Sequence, residues 1–173
     1  MVFEEKQLGR ARNALLPFLE HRLYIPKIYF EADWNGQRLD VLAIDRDGSG
    51  DVHAVLLFAQ EPLADSEASL VRRTQTESEL LERFAEIPAQ YKYIACAVST
   101  TEASELKRSP AFIESLLAPD GMGRVGLLTV SGLKDEEEPR VTLEVKPERF
   151  RAKIAQLADD YVEKHTADWE IRA

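Results

Sequence analysis

Residues 38–60 of the 173-residue chain read RLDVLAIDRDGSGDVHAVLLFAQ, and they carry its clearest strand pattern. Residues 39–44 and 52–59 are mainly apolar, and a polar loop with two glycines separates them. Such a pattern predicts two strands joined by a turn, because glycine and aspartate favour tight reversals. The second run is apolar at nearly every position except His53, which is typical of a central strand buried on both faces. The first strand carries one acid, Asp40.

The segments on either side extend the hairpin into a longer series of elements. An Asn-Gly turn at residues 34–37 predicts a preceding strand, paired in a hairpin with the strand at 39–44. Apolar residues at three- and four-residue spacing predict helices, and Pro17 is expected to kink or split the first of them. Strands are predicted at 24–32, 91–98, 124–130 and 141–145, and helices at 4–22, 66–86, near Thr100 and Ser109, and from Pro147 with a stripe of Phe150, Ile154, Leu157 and Tyr161.

The order of these elements predicts an α/β (α+β) fold. A mixed central sheet would begin with an antiparallel three-strand meander and continue through a helix crossover to a parallel strand, with helices on both faces. The sequence contains no internal repeat, low-complexity tract or linker. We therefore expect a single domain over residues 1–173.

From about Gln7 to Val98, the order helix, meander, helix, strand resembles the core of the restriction-endonuclease-like, or PD-(D/E)XK nuclease, superfamily. The closest local match is the hairpin at residues 38–60. In active members of that superfamily an acid lies on the second strand, and an acid-x-lysine signature lies on the third. The two acids hold a divalent cation such as Mg²⁺, and the lysine helps to orient or activate the attacking water.

Position by position, the resemblance implies a degenerate site. Asp40 matches the acid of the second strand, whereas Leu56 and Phe58 occupy the positions of the acid and the lysine. Leucine cannot ligate a cation and phenylalanine cannot donate to a phosphate, so we assign no catalytic, cofactor-binding or metal-binding residue and expect no cofactor. Asp40 is interpreted as a structural carboxylate that needs a hydrogen-bonded or charged partner, and Arg38 is one candidate.

A rebuilt site is the alternative interpretation. Glu20, Glu31, Asp33 or Glu61 could join Asp40 around a metal ion, although each is also typical of an exposed surface acid. Elsewhere, His53 is interpreted as a hydrogen-bonded histidine of the core or sheet edge, and Cys96 as an inert buried thiol.

Composition narrows the classes of partner. The chain has a formal net charge of −9 and 45% hydrophobic residues, with no apolar run long enough for a membrane span. An acidic protein repels nucleic acid, so nucleic-acid binding is disfavoured unless scattered basic residues gather on one face. A single cysteine and the lack of a signal-like N-terminus favour a cytoplasmic protein.

Three functional hypotheses follow. The first is a catalytically inactive nuclease-fold protein that acts as a structural, regulatory or interaction module with an unidentified protein partner. The second is a metal-dependent nuclease with a rearranged site centred on Asp40. The third is nucleic-acid binding without cleavage. A homodimer is compatible with each of them.

Overall fold

The computed structural model describes residues 5–23, 25, 27–45, 48–59, 82–84, 86–97, 124–133 and 138–165. Within these ranges, none of the helices combines the length and the apolar character needed to cross a membrane. The described elements are helix α1 (Glu5–Pro17), a π-helical turn (Phe18–Arg22), strands β1 (Lys27–Trp34), β2 (Gln37–Ile44), β3 (Val52–Ala59), β4 (Tyr91–Ala97), β5 (Gly126–Ser131) and β6 (Arg140–Val145), and helix α2 (Ala155–Lys164).

The strands form one mixed sheet in the order β1-β2-β3-β4-β5-β6. The first three pair antiparallel, β3, β4 and β5 pair parallel, and β6 returns antiparallel to β5. The chain thus has an α+β fold with an antiparallel meander that leads into parallel strands, as its element order predicted. The parallel pairing of β3 with β4 confirms the expected parallel strand, whereas most of the predicted crossover helix lies outside the described residues.

The turn between β1 and β2 shows why this hairpin forms where the sequence predicted it. Trp34 pairs with Gln37 across a two-residue turn. Asn35 and Gly36 have φ angles of 52° and 81°. Positive φ at both central positions is characteristic of a type I′ turn, whose twist matches that of the flanking strands.

Each face of the sheet packs against one described helix, which confirms the prediction of helices on both faces. Helix α1 buries Ala11 and Leu15 in one apolar cluster with Val55 and Leu128. Helix α2 buries Ala158 and Val162 in a second cluster, on the opposite face, with residues that include Trp34, Leu56 and Ile94. The sheet therefore separates two cores, and the hairpin at residues 38–60 contributes to both.

The predicted first helix is confirmed as α1, with the π-helical turn following Pro17. In contrast, the prediction of a helix from Pro147 is wrong in its start, because α2 begins at Ala155. The Glu148 amide donates to the Arg124 carbonyl and the Phe150 amide donates to the Gln90 carbonyl, so these groups bond to other segments before the helix begins.

The first strand also differs from its predicted bounds, since β1 starts at Lys27 and continues to Trp34. Of the helix predicted at 66–86, residues 82–84 and Glu86 are helical, and the remainder lies outside the described residues. The helices predicted near Thr100 and Ser109 also lie outside them.

Candidate functional site around Asp40

Asp40 lies where strands β2 and β3 diverge. Their paired positions run from Ile44–Val52 to Val41–Val55. Beyond that point β2 continues along β1, while β3 continues along β4 to the pair Ala59–Ala97. Asp40 is the next residue of β2 after its last paired position and therefore stands at the apex of the gap.

The carboxylate of Asp40 bonds to strand β3 just beyond the last main-chain pairing between β2 and β3. The Leu57 amide donates to Asp40 Oδ2 at 2.7 Å. Partial burial raises the pKa of Asp40 above its ordinary value. The Leu57 hydrogen bond and then the charges of Arg83, Arg12 and Arg38 oppose that rise. The half-buried acid thus has a main-chain partner, as a structural role requires.

Strand geometry changes at the same position. In the β1–β2 register, Phe30 pairs with Val41 and Ala32 pairs with Leu39. Glu31 and Asp40 stand opposite each other between these pairs but are not themselves paired. Glu31 has a φ of 50°, which is rare for a residue other than glycine. A local irregularity of this kind turns side chains away from the regular alternation.

The alternation along β2 is broken accordingly. Leu39 and Leu42 pack into the same cluster although three positions separate them. A regular strand would place them on opposite faces. Regular alternation would place Asp40 on the same face as Leu42 and Ile44, but the strand is not regular between Leu39 and Leu42. Asp40 itself is half-buried.

Glu31 is held between two arginines from different elements. Arg12 of helix α1 lies 2.7 Å from one carboxylate oxygen of Glu31, and Arg38 of strand β2 lies 3.6 Å from the other. Arg38 was the candidate partner for Asp40, but its ion pair is with Glu31. A third arginine, Arg83, donates to the main-chain carbonyl of Arg38 at 2.8 Å.

The remaining acids of the predicted alternative are Glu20, Asp33 and Glu61. Glu20 lies on the π-helical turn, and exposed Asp33 is a strand residue of β1 opposite Arg38. Glu61 lies outside the described residues. Among the residues that the structure describes, no three histidine, cysteine, aspartate or glutamate side chains are grouped so as to hold a metal ion.

Strand β3 supplies main-chain and apolar groups to the site. Leu56 is buried in the α2-side core, and half-buried Leu57 offers its amide to Asp40. The side chain of Phe58 lies outside the described part of the chain. Leu56 stands at the position where the superfamily resemblance expects the acid of the third strand. Its side chain is part of the hydrophobic core.

Three guanidinium groups lie around the two carboxylates of the Asp40 site. They belong to Arg12, Arg38 and Arg83, and the carboxylates belong to Glu31 and Asp40. The side chain of Arg38 is 73% exposed, so its planar set of donors faces solvent. A divalent cation at this position would meet the repulsion of three guanidinium charges.

Comparisons with known proteins identify no family for this chain. No family model and no curated protein matches it. Among solved structures, it is similar to a protein of unknown function from Silicibacter pomeroyi, with 15% identity and a TM-score of 0.45 over 97% of this chain and 90% of that one. A TM-score below 0.5 transfers neither a fold family nor a function.

His53 and Cys96 are both core residues. The His53 ring stacks at 4.7 Å on Tyr91 and at 5.9 Å on Tyr93, and its Nδ1 lies 3.3 Å from the Tyr93 hydroxyl. Burial lowers the pKa of His53 to about 4, although the charges of Asp51 and Asp45 oppose the change. His53 is thus the hydrogen-bonded histidine that the sequence predicted, and the burial of Cys96 is confirmed.

Sequence reasoning missed a polar connection at the other end of β3. Buried Asp51 accepts hydrogen bonds from Arg149, the shortest at 2.9 Å. Gln90 accepts from the Val52 amide and donates to the Ala152 carbonyl. These contacts join residues 38 to 98 positions apart in the chain, and no local pattern signals them.

Proposed function

We propose that this protein is a catalytically inactive module with a restriction-endonuclease-like fold, which has a structural, regulatory or interaction role. One observation carries the proposal. The acid at the expected catalytic position, Asp40, accepts a hydrogen bond from the Leu57 amide, and arginine charges surround it.

The fold supports this assignment at the level of topology. Helix α1, the antiparallel meander β1–β3 and the parallel strand β4 occur in the order that the superfamily resemblance implies. Asp40 lies on the second strand of this meander, the strand on which active members of that superfamily carry an acid. Topology gives the scaffold, and the chemistry of the site decides the function.

Site chemistry argues against metal-dependent hydrolysis. Such a mechanism needs two carboxylates that hold the same cation. It also needs a base or a lysine beside the attacking water. Here the nearest acid across the strand pair, Glu31, is occupied by Arg12 and Arg38. The two guanidinium groups thereby compensate the charge of Glu31, the carboxylate that would have to share a cation with Asp40.

A cleavage assay tests the proposal. The purified 173-residue chain is incubated with single- and double-stranded DNA and RNA in Mg²⁺ or Mn²⁺, beside an Asp40→Asn variant, which retains an acceptor for the Leu57 amide. We expect no cleavage above the level of the variant. Cleavage by the wild-type protein that the variant loses would overturn the proposal and favour the rearranged nuclease.

Nucleic-acid binding without cleavage is a second candidate, because three arginines gather near Asp40. That hypothesis required basic residues to converge, and these do so from α1, β2 and residues 82–84. It predicts a gel shift that weakens steeply with salt. An Arg38→Glu variant should weaken it further, whereas Arg151→Glu, the same charge change at an exposed residue after β6, should weaken it less.

A further inference from the structure

Residues 146–154, which we call the strap, lead from β6 to helix α2 across the end of the sheet at which its parallel strands begin. The Glu148 amide donates at 3.0 Å to the carbonyl of Arg124, near the start of β5. The Phe150 amide donates at 2.7 Å to the carbonyl of Gln90, directly before β4. Two main-chain bonds to neighbouring strands therefore fix the course of the strap.

The second half of the strap alternates between the protein interior and solvent. Phe150 and Ala152 pack against the α2-side core, and Ile154 is buried within it. The residues between them, Arg151 and Lys153, are exposed. Such alternation is typical of an extended chain, in which side chains two positions apart point the same way. This part of the strap thus presents every second side chain to solvent.

The exposed positions of the strap form a row of cations: Arg149, Arg151 and Lys153. In an extended chain, neighbouring members of the row are roughly 7 Å apart. Arg149 already has a partner, because its guanidinium donates to buried Asp51 at 2.9 Å. Arg151 and Lys153 form no ion pair with any residue in the described ranges. Within that part of the chain, two cations of the row thus keep their donors for an external ligand.

The row is a basic region on an acidic protein. The strap contains four basic residues and one acid, whereas the whole chain has a net charge of −9. That acid, Glu148, lies 3.7 Å from Arg124, and the first turn of α2 adds no acid. A local region of one charge selects partners of the opposite charge. The row is therefore complementary to an anionic ligand.

Spacing and net charge favour an acidic peptide among anionic ligands. In an extended peptide, acids at alternate positions lie on one side and are roughly 7 Å apart, the spacing of the row. Salt limits the attraction to about 8 Å, so a short acidic segment meets mainly the field of the row. A nucleic acid would extend beyond the row, where the net charge of −9 repels its phosphates.

We propose that the strap binds an extended segment of a partner protein that carries acids at alternate positions. Two of its carboxylates would pair with Arg151 and Lys153, which are exposed. Asp51 holds Arg149 in place as the first member of the row. This inference rests on the interaction role within the proposed function, and it names the surface and the class of partner.

Fluorescence anisotropy with a labelled peptide of sequence Glu-Thr-Glu-Thr-Glu tests the inference on the 173-residue chain. We expect saturable binding that weakens with added salt. The peptide Glu-Glu-Glu-Thr-Thr has the same charge but does not alternate its acids, so it should bind about threefold more weakly. Equal binding of the two peptides would overturn the inference, because spacing would then play no part.

Variants of the row test where the peptide binds. Arg151→Glu should weaken binding about fivefold, because repulsion replaces attraction at an exposed pair. Lys153→Glu should weaken it similarly without weakening α2, since an acid just before a helix N-terminus is favourable. The matched control is Arg140→Glu, the same charge change at an exposed residue at the far end of β6, which should leave binding nearly unchanged. Equal losses for Arg140→Glu and Arg151→Glu would overturn the inference.

Two further measurements test other occupants of the row. Sedimentation should show no self-association that Arg151→Glu removes, and a dimer that this variant loses would mean that a second copy occupies the row. Single-stranded oligothymidylate should not displace the acidic peptide. Displacement by an oligonucleotide whose own binding Arg151→Glu weakens would overturn the inference in favour of a nucleic-acid ligand.

These outcomes are independent of the cleavage assay. Peptide binding without cleavage supports both proposals. Absence of binding together with absence of cleavage removes the strap as a binding surface and leaves the inactive-module proposal standing. Cleavage that depends on Asp40 removes the inactive-module proposal, and the strap is then judged by the binding of the Arg151→Glu variant alone.

Discussion

Replacing Asp40 tests whether this acid is structural. Asp40→Ala removes the acceptor that the Leu57 amide uses at 2.7 Å. A buried donor left without an acceptor costs about 1–3 kcal/mol. Because Asp40 is only half-buried, water can reach part of the site, and we expect the free energy of unfolding to fall by roughly 1–2 kcal/mol. At an m value of about 2 kcal/mol/M, this lowers the urea midpoint by roughly 0.5–1 M.

Asp40→Asn is the matched control, since its side-chain oxygen can still accept from Leu57. Burial raises the pKa of Asp40, so the folded protein binds this proton more tightly than the unfolded chain does. Ionised Asp40 therefore costs stability at neutral pH, and that cost is removed as pH falls through the folded-state pKa. We expect Asp40→Asn to be at least as stable as wild type at pH 7, with a difference that shrinks on acidification.

Urea denaturation of the wild-type protein and both variants at pH 7 and pH 4.5 measures these effects. A wild-type-like Asp40→Ala variant would refute the reasoning about the Leu57 hydrogen bond. An Asp40→Asn variant as unstable as Asp40→Ala would show that the site needs the negative charge itself. That result would favour an ion-pair or metal role for the carboxylate.

Two further predictions concern the other end of β3. The pKa of His53 is lowered to about 4, so its contribution to stability is complete above about pH 6.5 and is lost by up to about 3 kcal/mol as pH falls to about 4. His53→Phe should reduce the pH dependence of the free energy of unfolding measured by urea denaturation. The control is His21→Gln, at an exposed histidine, which should not reduce it. Equal pH dependence in the two variants would contradict the role given to His53. At the Asp51–Arg149 pair, Arg149→Gln should destabilise the protein more than Asp51→Asn, because the first leaves a buried carboxylate and the second leaves a guanidinium open to water. Thermal denaturation of the two variants checks this order, and the reverse order would contradict it.

The sequence predicted the parts of the fold that depend on local pattern. The bounds of β3 are those that its apolar run indicated, and the Asn35-Gly36 turn forms as predicted. The start of α2 was predicted wrongly because the spacing of Phe150 and Ile154 resembles a helix. The Phe150 amide instead donates to the Gln90 carbonyl, 60 positions earlier in the chain, and the residue lies in a segment that is not helical.

The sequence predicted the acid of the candidate site, Asp40, but did not predict the groups that contact it. Asp40 is the one acid within residues 39–44, the range predicted for its strand. Matching the hairpin to the superfamily pattern was therefore sufficient to select it. Its bond to Leu57 depends on where β2 and β3 separate, which neither strand's pattern encodes. The role of Glu31 depends on a positive φ, and its arginine partners come from two different elements.

The most direct test of the account is a crystal grown with Mn²⁺ and measured for anomalous scattering. We expect no anomalous peak beside Asp40, with its carboxylate still accepting from the Leu57 amide and Glu31 still paired with Arg12. An anomalous peak bonded to the carboxylate oxygens of Asp40 and Glu31 would contradict it.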